Sequence, residues 1–131
     1  MNTRIICNPS NLKDHKMTQS KQMDAFAAHY VDQLANWAHI STRRLFGACG
    51  LYCQGHVFGM VWDGALYLKV DEESRKLYVA AQSHALEYVS KGKAQALKSY
   101  WEVPAEVVED RETLCLWAER AFQIAIKGRK P

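Results

Sequence analysis

Between residues 48 and 70 apolar and polar positions alternate with a period of two, interrupted at two glycine turns, Gly55-His56 and Asp63-Gly64. That period belongs to strands with one face buried. Three strands are predicted, over about 48–54, 57–62 and 65–70. Asp-Gly favours a type I′ hairpin, whose two central residues need positive φ, and Gly-His fits type II′, with Gly in the first central position. These loops pair Gln54 with Val57 and Trp62 with Ala65, which sets the register. One face then carries Tyr52, Val57, Val61, Leu66, Leu68 and Val70, an aliphatic core face. The other carries Cys49, Leu51, Cys53, Phe58, Met60, Trp62, Tyr67 and Lys69. This second face is apolar enough to require a cover, either a helix or a second subunit. Phe58, Met60, Trp62 and Tyr67 are accordingly the candidate dimer or cover face.

Helical spacing flanks this sheet. Thr18 or Ser20 can cap a helix running to about Ile40, with Ala27, Val31, Leu34, Ala35 and Ala38 on one stripe and Phe26, Tyr30 and Trp37 beside it. Asp71 caps a second helix reaching Gln82, with Leu77, Ala80 and Ala81 inward. Strands near 85–90 and 95–102 follow around Lys91-Gly92-Lys93. Pro104 opens a short helix. Asp110 caps the last one, where Leu114, Trp117, Ala118, Ala121, Phe122 and Ala125 keep helical spacing up to Gly128. The expected class is α+β, in the order α-βββ-α-ββ-α, a mostly antiparallel sheet with helices packed on it. Residues 1–20 read as a mobile arm, 21–127 as the domain and 128–131 as a basic tail.

Charge changes the functional picture. The 131 residues carry a formal net charge of +3. Residues 1–21 hold Arg4, Lys13, Lys16 and Lys21 against Asp14, and residues 127–131 hold Lys127, Arg129 and Lys130, so each end is +3. Residues 22–126 have 10 basic and 13 acidic side chains, a balance of −3. A domain that grips phosphates with its own surface usually shows a basic face, so direct DNA binding is expected to be weak or absent. No apolar run approaches the roughly 20 residues that span a bilayer, and the amino terminus lacks the apolar region of a secretory signal. A cytoplasmic location with reduced cysteines is expected.

Several motifs stand in order along the chain: Arg43-Arg44-Leu45-Phe46-Gly47, Gly50-Leu51-Tyr52, Leu66 to Asp71, Tyr88 with Gly92-Lys93, and Tyr100-Trp101-Glu102-Val103-Pro104. Over about residues 22–126 this pattern resembles the amino-terminal domain of the TfoX/Sxy competence regulators. Phe46-Gly47-Ala48 replaces the more usual double glycine after the phenylalanine. The resemblance implies a fold similar to type III secretion chaperones, often found as homodimers. It also implies a link to regulation of DNA uptake, in which the regulators act with the cyclic-AMP receptor protein. Those regulators carry a second, helical domain after the first, whereas this sequence reaches Pro131 straight after the last predicted helix. An activity that needs the second domain is therefore not expected of it.

Candidate chemistry is sparse. Cys49 and Cys53, followed by His56, could suggest a metal site, but four residues of extended chain span about 13 Å, too far to share one ion or a disulfide. Cys7 and Cys115 add no framework. His15, His29, His39, His56 and His84 pair with no acid in a recognised catalytic motif, and the glycines form no phosphate-binding loop. No catalytic, cofactor-binding or metal residue is assigned. Arg43 and Arg44, expected in a loop before the first strand, are candidate anion or partner contacts, as are Lys91 and Lys93 at the hairpin tip. The expected function is a non-enzymatic regulatory or partner-binding domain, with a transcription-regulator protein as a possible partner. The alternative is a stand-alone chaperone-like or adaptor module unrelated to DNA.

Overall fold

The computed structural model describes residues 25–45 and 47–128. The expected arm, the helix cap at Thr18 or Ser20, Cys7, His15 and the last three residues of the basic tail lie outside the described residues. Among the described residues a helix, α1, covers 25–33 and ends in turns through residue 37, short of the expected Ile40. Four strands follow: β1 (Ser41–Leu45), β2 (Ala48–Cys53), β3 (His56–Trp62) and β4 (Ala65–Lys69). Next come α2 (Glu72–Ala80), β5 (Ala85–Ser90), β6 (Lys93–Glu102), α3 (Ala105–Val108) and α4 (Arg111–Lys127). The class is α+β, as expected. The order gains one strand, β1, while the short helix after Pro104 and the last helix after Asp110 form as expected. The six strands form one antiparallel sheet in the order β1-β2-β3-β4-β6-β5. No helix of the described residues is long and apolar enough to cross a membrane.

The β3–β4 turn is as expected. Asp63 and Gly64 take φ of 52° and 83°, the type I′ signature, and Trp62 pairs with Ala65. The β2–β3 turn differs. Its central residues are Gln54 and Gly55, with φ of 53° and 82°, so it too is type I′ and closes Cys53 on His56. A bulge then follows: Leu51 pairs with Gly59 and Tyr52 with Val57, leaving Phe58 as the extra residue of β3. Together these two features move β2 by one position relative to the expected register, and a one-residue shift exchanges faces. Cys49, Leu51 and Cys53 join Val61, Leu66 and Leu68 in the main core. Phe58 joins them through the bulge and is fully buried, so it is removed from the candidate cover face.

The helices cover that core face. Ala27, Tyr30 and Leu34 of α1 and its following turn, with Leu114, Ala118, Ala121, Phe122 and Ala125 of α4, complete the main core. Trp37 stacks edge-on against Phe58 and Phe122 at ring-centroid distances of 5.3 and 6.0 Å. At α2 the expected phase is corrected. Asp71 accepts from Ser74 N at 2.8 Å while Ser74 Oγ accepts from Asp71 N at 3.0 Å, a reciprocal capping box. With that start fixed, Ser74 and Tyr78 face inward and Leu77 is 46% exposed. Tyr78 packs against Trp117 at 4.8 Å.

Candidate functional site

The second sheet face holds Ala48, Met60 and Tyr67, with Trp62 half-buried beside them. Its cover is neither a helix nor, within one chain, a second subunit. Strand β6 runs ten residues, and its pairing with β5 jumps from Ala85–Trp101 to Leu86–Leu97. That irregularity lets the β5–β6 hairpin curl, so that Leu86, Leu97 and Tyr100 pack on Met60 and Tyr67, and Met60 is only 6% exposed. Closure is incomplete. A groove of about 480 Å³ remains, with Ala48, Met60 and Trp62 on the sheet side and Leu86, Tyr88 and Leu97 on the hairpin side.

The groove can hold a ligand but offers little acid–base chemistry. Burial pushes the Tyr100 hydroxyl up to about 12 and also raises Tyr67, helped there by the carboxylates Glu102, Asp63 and Glu87. Both phenols stay protonated and neutral near pH 7. Lys69 extends over the Tyr100 ring at 5.6 Å. Within this face the structure brings together Met60, Trp62 and Tyr67 of the expected set and separates Phe58 from them.

The expected cationic residues are placed differently from one another. Arg43 and Arg44 lie on β1, not in a loop, opposite Gly50 and Cys49. Successive strand residues point to opposite faces, so the two guanidiniums cannot act as one fork. Arg43 lies over the Tyr52 ring at 5.3 Å. Lys91 and Lys93 are exposed at the tip of the β5–β6 hairpin, where Lys91 takes a φ of 55°.

The remaining titratable groups form no metal cluster among the described residues. Cys49 and Cys53 are buried thiols and Cys115 is half-buried. Burial raises both Cys53 and Cys115, the opposite of what an activated nucleophile requires. His84 Nε2 lies 3.0 Å from Glu102 Oε1 on the surface, and the His56 ring meets Phe122 at 6.1 Å.

Two surfaces were missed in the sequence. The β5 edge exposes Tyr88 and Val89, and a cleft of about 210 Å³ between α2 and α4 is rimmed by Leu77, Leu116 and Arg120. The alternation of Leu86 and Tyr88 was a signal for the first. The exposed Leu116 gave none, because its i+3 and i+4 neighbours are polar or small.

The family model for the TfoX N-terminal domain matches residues 32–125. The chain belongs to that family. The matched region runs from the end of α1 to the last turns of α4 and so takes in the whole sheet, the groove and the β5 edge. The TfoX motifs have structural roles: Gly50-Leu51-Tyr52 lies on β2 beside the bulge, and Leu66 to Asp71 supplies β4 and the α2 cap. Tyr100 and Trp101 split between the two sheet faces, one packing with Met60 and the other beside Tyr78. A comparison with curated proteins returned no match.

Proposed function

We propose that this TfoX N-terminal domain is a non-enzymatic regulatory module that acts through protein contacts in the control of competence for DNA uptake. The observation that carries the reading is the apolar groove on the second sheet face, with Met60 and Trp62 on one wall and Leu86, Tyr88 and Leu97 on the other. A surface of this kind suits a protein side chain or segment, and it presents no ionised group to a reacting substrate. The balance of −3 over residues 22–126 also favours a protein partner over duplex DNA. The partner in this reading is a transcription regulator, and the domain biases its action at competence promoters.

The test is genetic and quantitative. The gene is deleted in its own host, and transformation frequency with added DNA is measured together with competence-gene transcripts. Complementation uses the wild-type gene and a Met60→Lys, Leu97→Glu variant whose fold is verified by circular dichroism. Loss of transformation restored by wild type and not by the groove variant supports the reading. Unchanged transformation and transcripts after deletion would leave the adaptor module unrelated to DNA as the better account.

A further inference from the structure

The groove and the start of α1 meet at one end of the sheet. Trp62, on the sheet side of the groove, is the last residue before the Asp63-Gly64 turn and pairs across it with Ala65. Phe26, in the first turn of α1, lies against Gly64 of that turn and is 44% exposed. Residues 1–24 therefore join the described chain beside the Trp62 end of the groove. Apolar side chains stand on both sides of the hairpin tip that separates them.

The sequence before α1 suits that groove in length, chemistry and charge. Ile5-Ile6-Cys7 is the one run of three apolar residues within residues 1–24. The stretch from Ile6 to Ala25 reaches about 60 Å when extended, against about 23 Å for the whole of β3. Even coiled, it spans about 25 Å, so the tether does not limit where Ile5 and Ile6 can lie. The groove of about 480 Å³ has room for both. Charge points the same way, since residues 1–21 carry +3 and residues 22–126 carry −3. Burial, then the carboxylates of Glu102, Asp63 and Glu87, raise the Tyr67 hydroxyl, so three acids stand near the floor of this face.

We infer that residues 1–24 pass around the β3–β4 tip and lay Ile5 and Ile6 in the groove of their own chain. Removing the two isoleucines from water against Met60, Trp62 and Leu97 supplies the attraction, and the basic residues of the segment face the acids of the domain. The tether presents the segment at an effective concentration of about 1 mM, so modest intrinsic affinity keeps the groove filled. A second copy or a separate protein lacks that advantage and has to displace the segment before it binds. This competition rests on the partner-binding reading, whereas the occupancy rests on the groove alone.

The test is paramagnetic broadening in the full chain, with a nitroxide on Cys7, Cys115→Ser to remove the half-buried thiol, and isotope-labelled methionine and leucine methyls. Cys49 and Cys53 are buried and stay unlabelled. The Met60 and Leu97 methyl signals are expected to lose most of their intensity until the nitroxide is reduced. Leu116, on the outer face of α4, is expected to keep its intensity. Ile5→Asp with Ile6→Asp should restore Met60 and Leu97. A second sample, Cys7→Ser with Ser10→Cys, moves the label away from the isoleucines and should broaden the same methyls. Groove methyls untouched by the label at both positions overturn the inference. So does broadening that the two aspartates leave unchanged. Nitroxide-bearing chains without isotope are also mixed with isotope-labelled chains without nitroxide. Broadening in that mixture assigns the groove to a second copy's segment and overturns the inference too. Unchanged transformation after gene deletion leaves the occupancy standing, and missing broadening leaves the competence reading standing.

Discussion

Tyr30 donates its hydroxyl hydrogen bond to the carbonyl oxygen of Gly64 at 2.9 Å, fastening α1 to the tip of the β3–β4 hairpin. The same glycine lies under the Phe26 ring, which a Cβ at position 64 would meet at 3.2 Å. Gly64→Val therefore combines a forbidden φ with a side-chain clash. The backbone part alone costs about 1–2 kcal/mol, and Tyr30→Phe should cost about 1 kcal/mol for the lost bond. Urea denaturation checks both. An unchanged midpoint for Gly64→Val would mean that the hairpin tip does not hold this turn in solution.

Gly59 gives a second test of the register. A Cβ there would lie 2.9 Å from the Tyr67 carbonyl oxygen and 2.9 Å from Leu68 Cδ2, so the strands would have to separate. Gly59→Ala is expected to destabilise by roughly 1–3 kcal/mol, as over-packing does. At Gly55 nothing lies within 4 Å of such a Cβ, although φ is +82°. Gly55→Asn should be nearly neutral, because asparagine tolerates that region. Thermal melts of the two variants are expected to differ clearly.

What the sequence made legible follows from how local each signal is. Asp63-Gly64 set its own turn. The Gln-Gly-His stretch did not, since a glycine can be second in a type I′ loop or first in a type II′ loop, and the choice depends on the bulge at Phe58. Strand β1 escaped notice because an exposed edge carrying Arg43 and Arg44 need not alternate. At α2 hydrophobicity favours Leu77, whereas the Asp71–Ser74 box and the Trp117 contact turn Tyr78 inward. The groove depends on the curl of β6 between Leu97 and Trp101, a non-local property, so only its sheet-side wall, Met60 and Trp62, was readable.

The capping box makes stability at α2 dependent on pH. The hydrogen bond from the Ser74 backbone N–H holds the Asp71 carboxyl below its usual range. A carboxyl depressed in the folded state contributes fully above its unfolded pKa, near 4, and loses that contribution as pH falls through the folded value. Asp71→Ala should cost about 1 kcal/mol at pH 7. The gap between wild type and variant should close as pH drops from about 5 toward 2. Glu119, lowered by bonds from Trp37 and Gln123, acts in the same direction. A gap between wild type and Asp71→Ala that is constant with pH would show that the carboxylate does not act as the cap.

The thiols should be slow. Burial and the nearby Glu119 raise Cys53, and burial raises Cys115, so little thiolate is present at neutral pH. Iodoacetamide at pH 7.5 is expected to label Cys53 far more slowly in folded protein than in urea, read by peptide mass spectrometry. Replacing Cys49 and Cys53 by alanine should cost only packing, about 1 kcal/mol each. Stoichiometric zinc in the wild-type protein that disappears in the double variant would overturn this.

Direct affinity for DNA tests where the positive charge acts. The two ends carry six net positive charges between them, and residues 22–126 carry −3. Arg43 and Arg44 diverge from β1 to opposite faces, so they offer no joined fork to a phosphate. Whatever binding exists should come from counterion release by the ends: weak, indifferent to sequence, and falling with salt at a logarithmic slope no steeper than about −5. Fluorescence anisotropy with a labelled duplex measures this. Removing residues 1–17 and 128–131 should abolish most of the signal with the circular dichroism unchanged, while Arg43→Ala with Arg44→Ala should change it little. If the trimmed chain still binds one sequence tightly at ~150 mM salt and needs the arginine pair, base-reading contacts on or beside β1 replace this account.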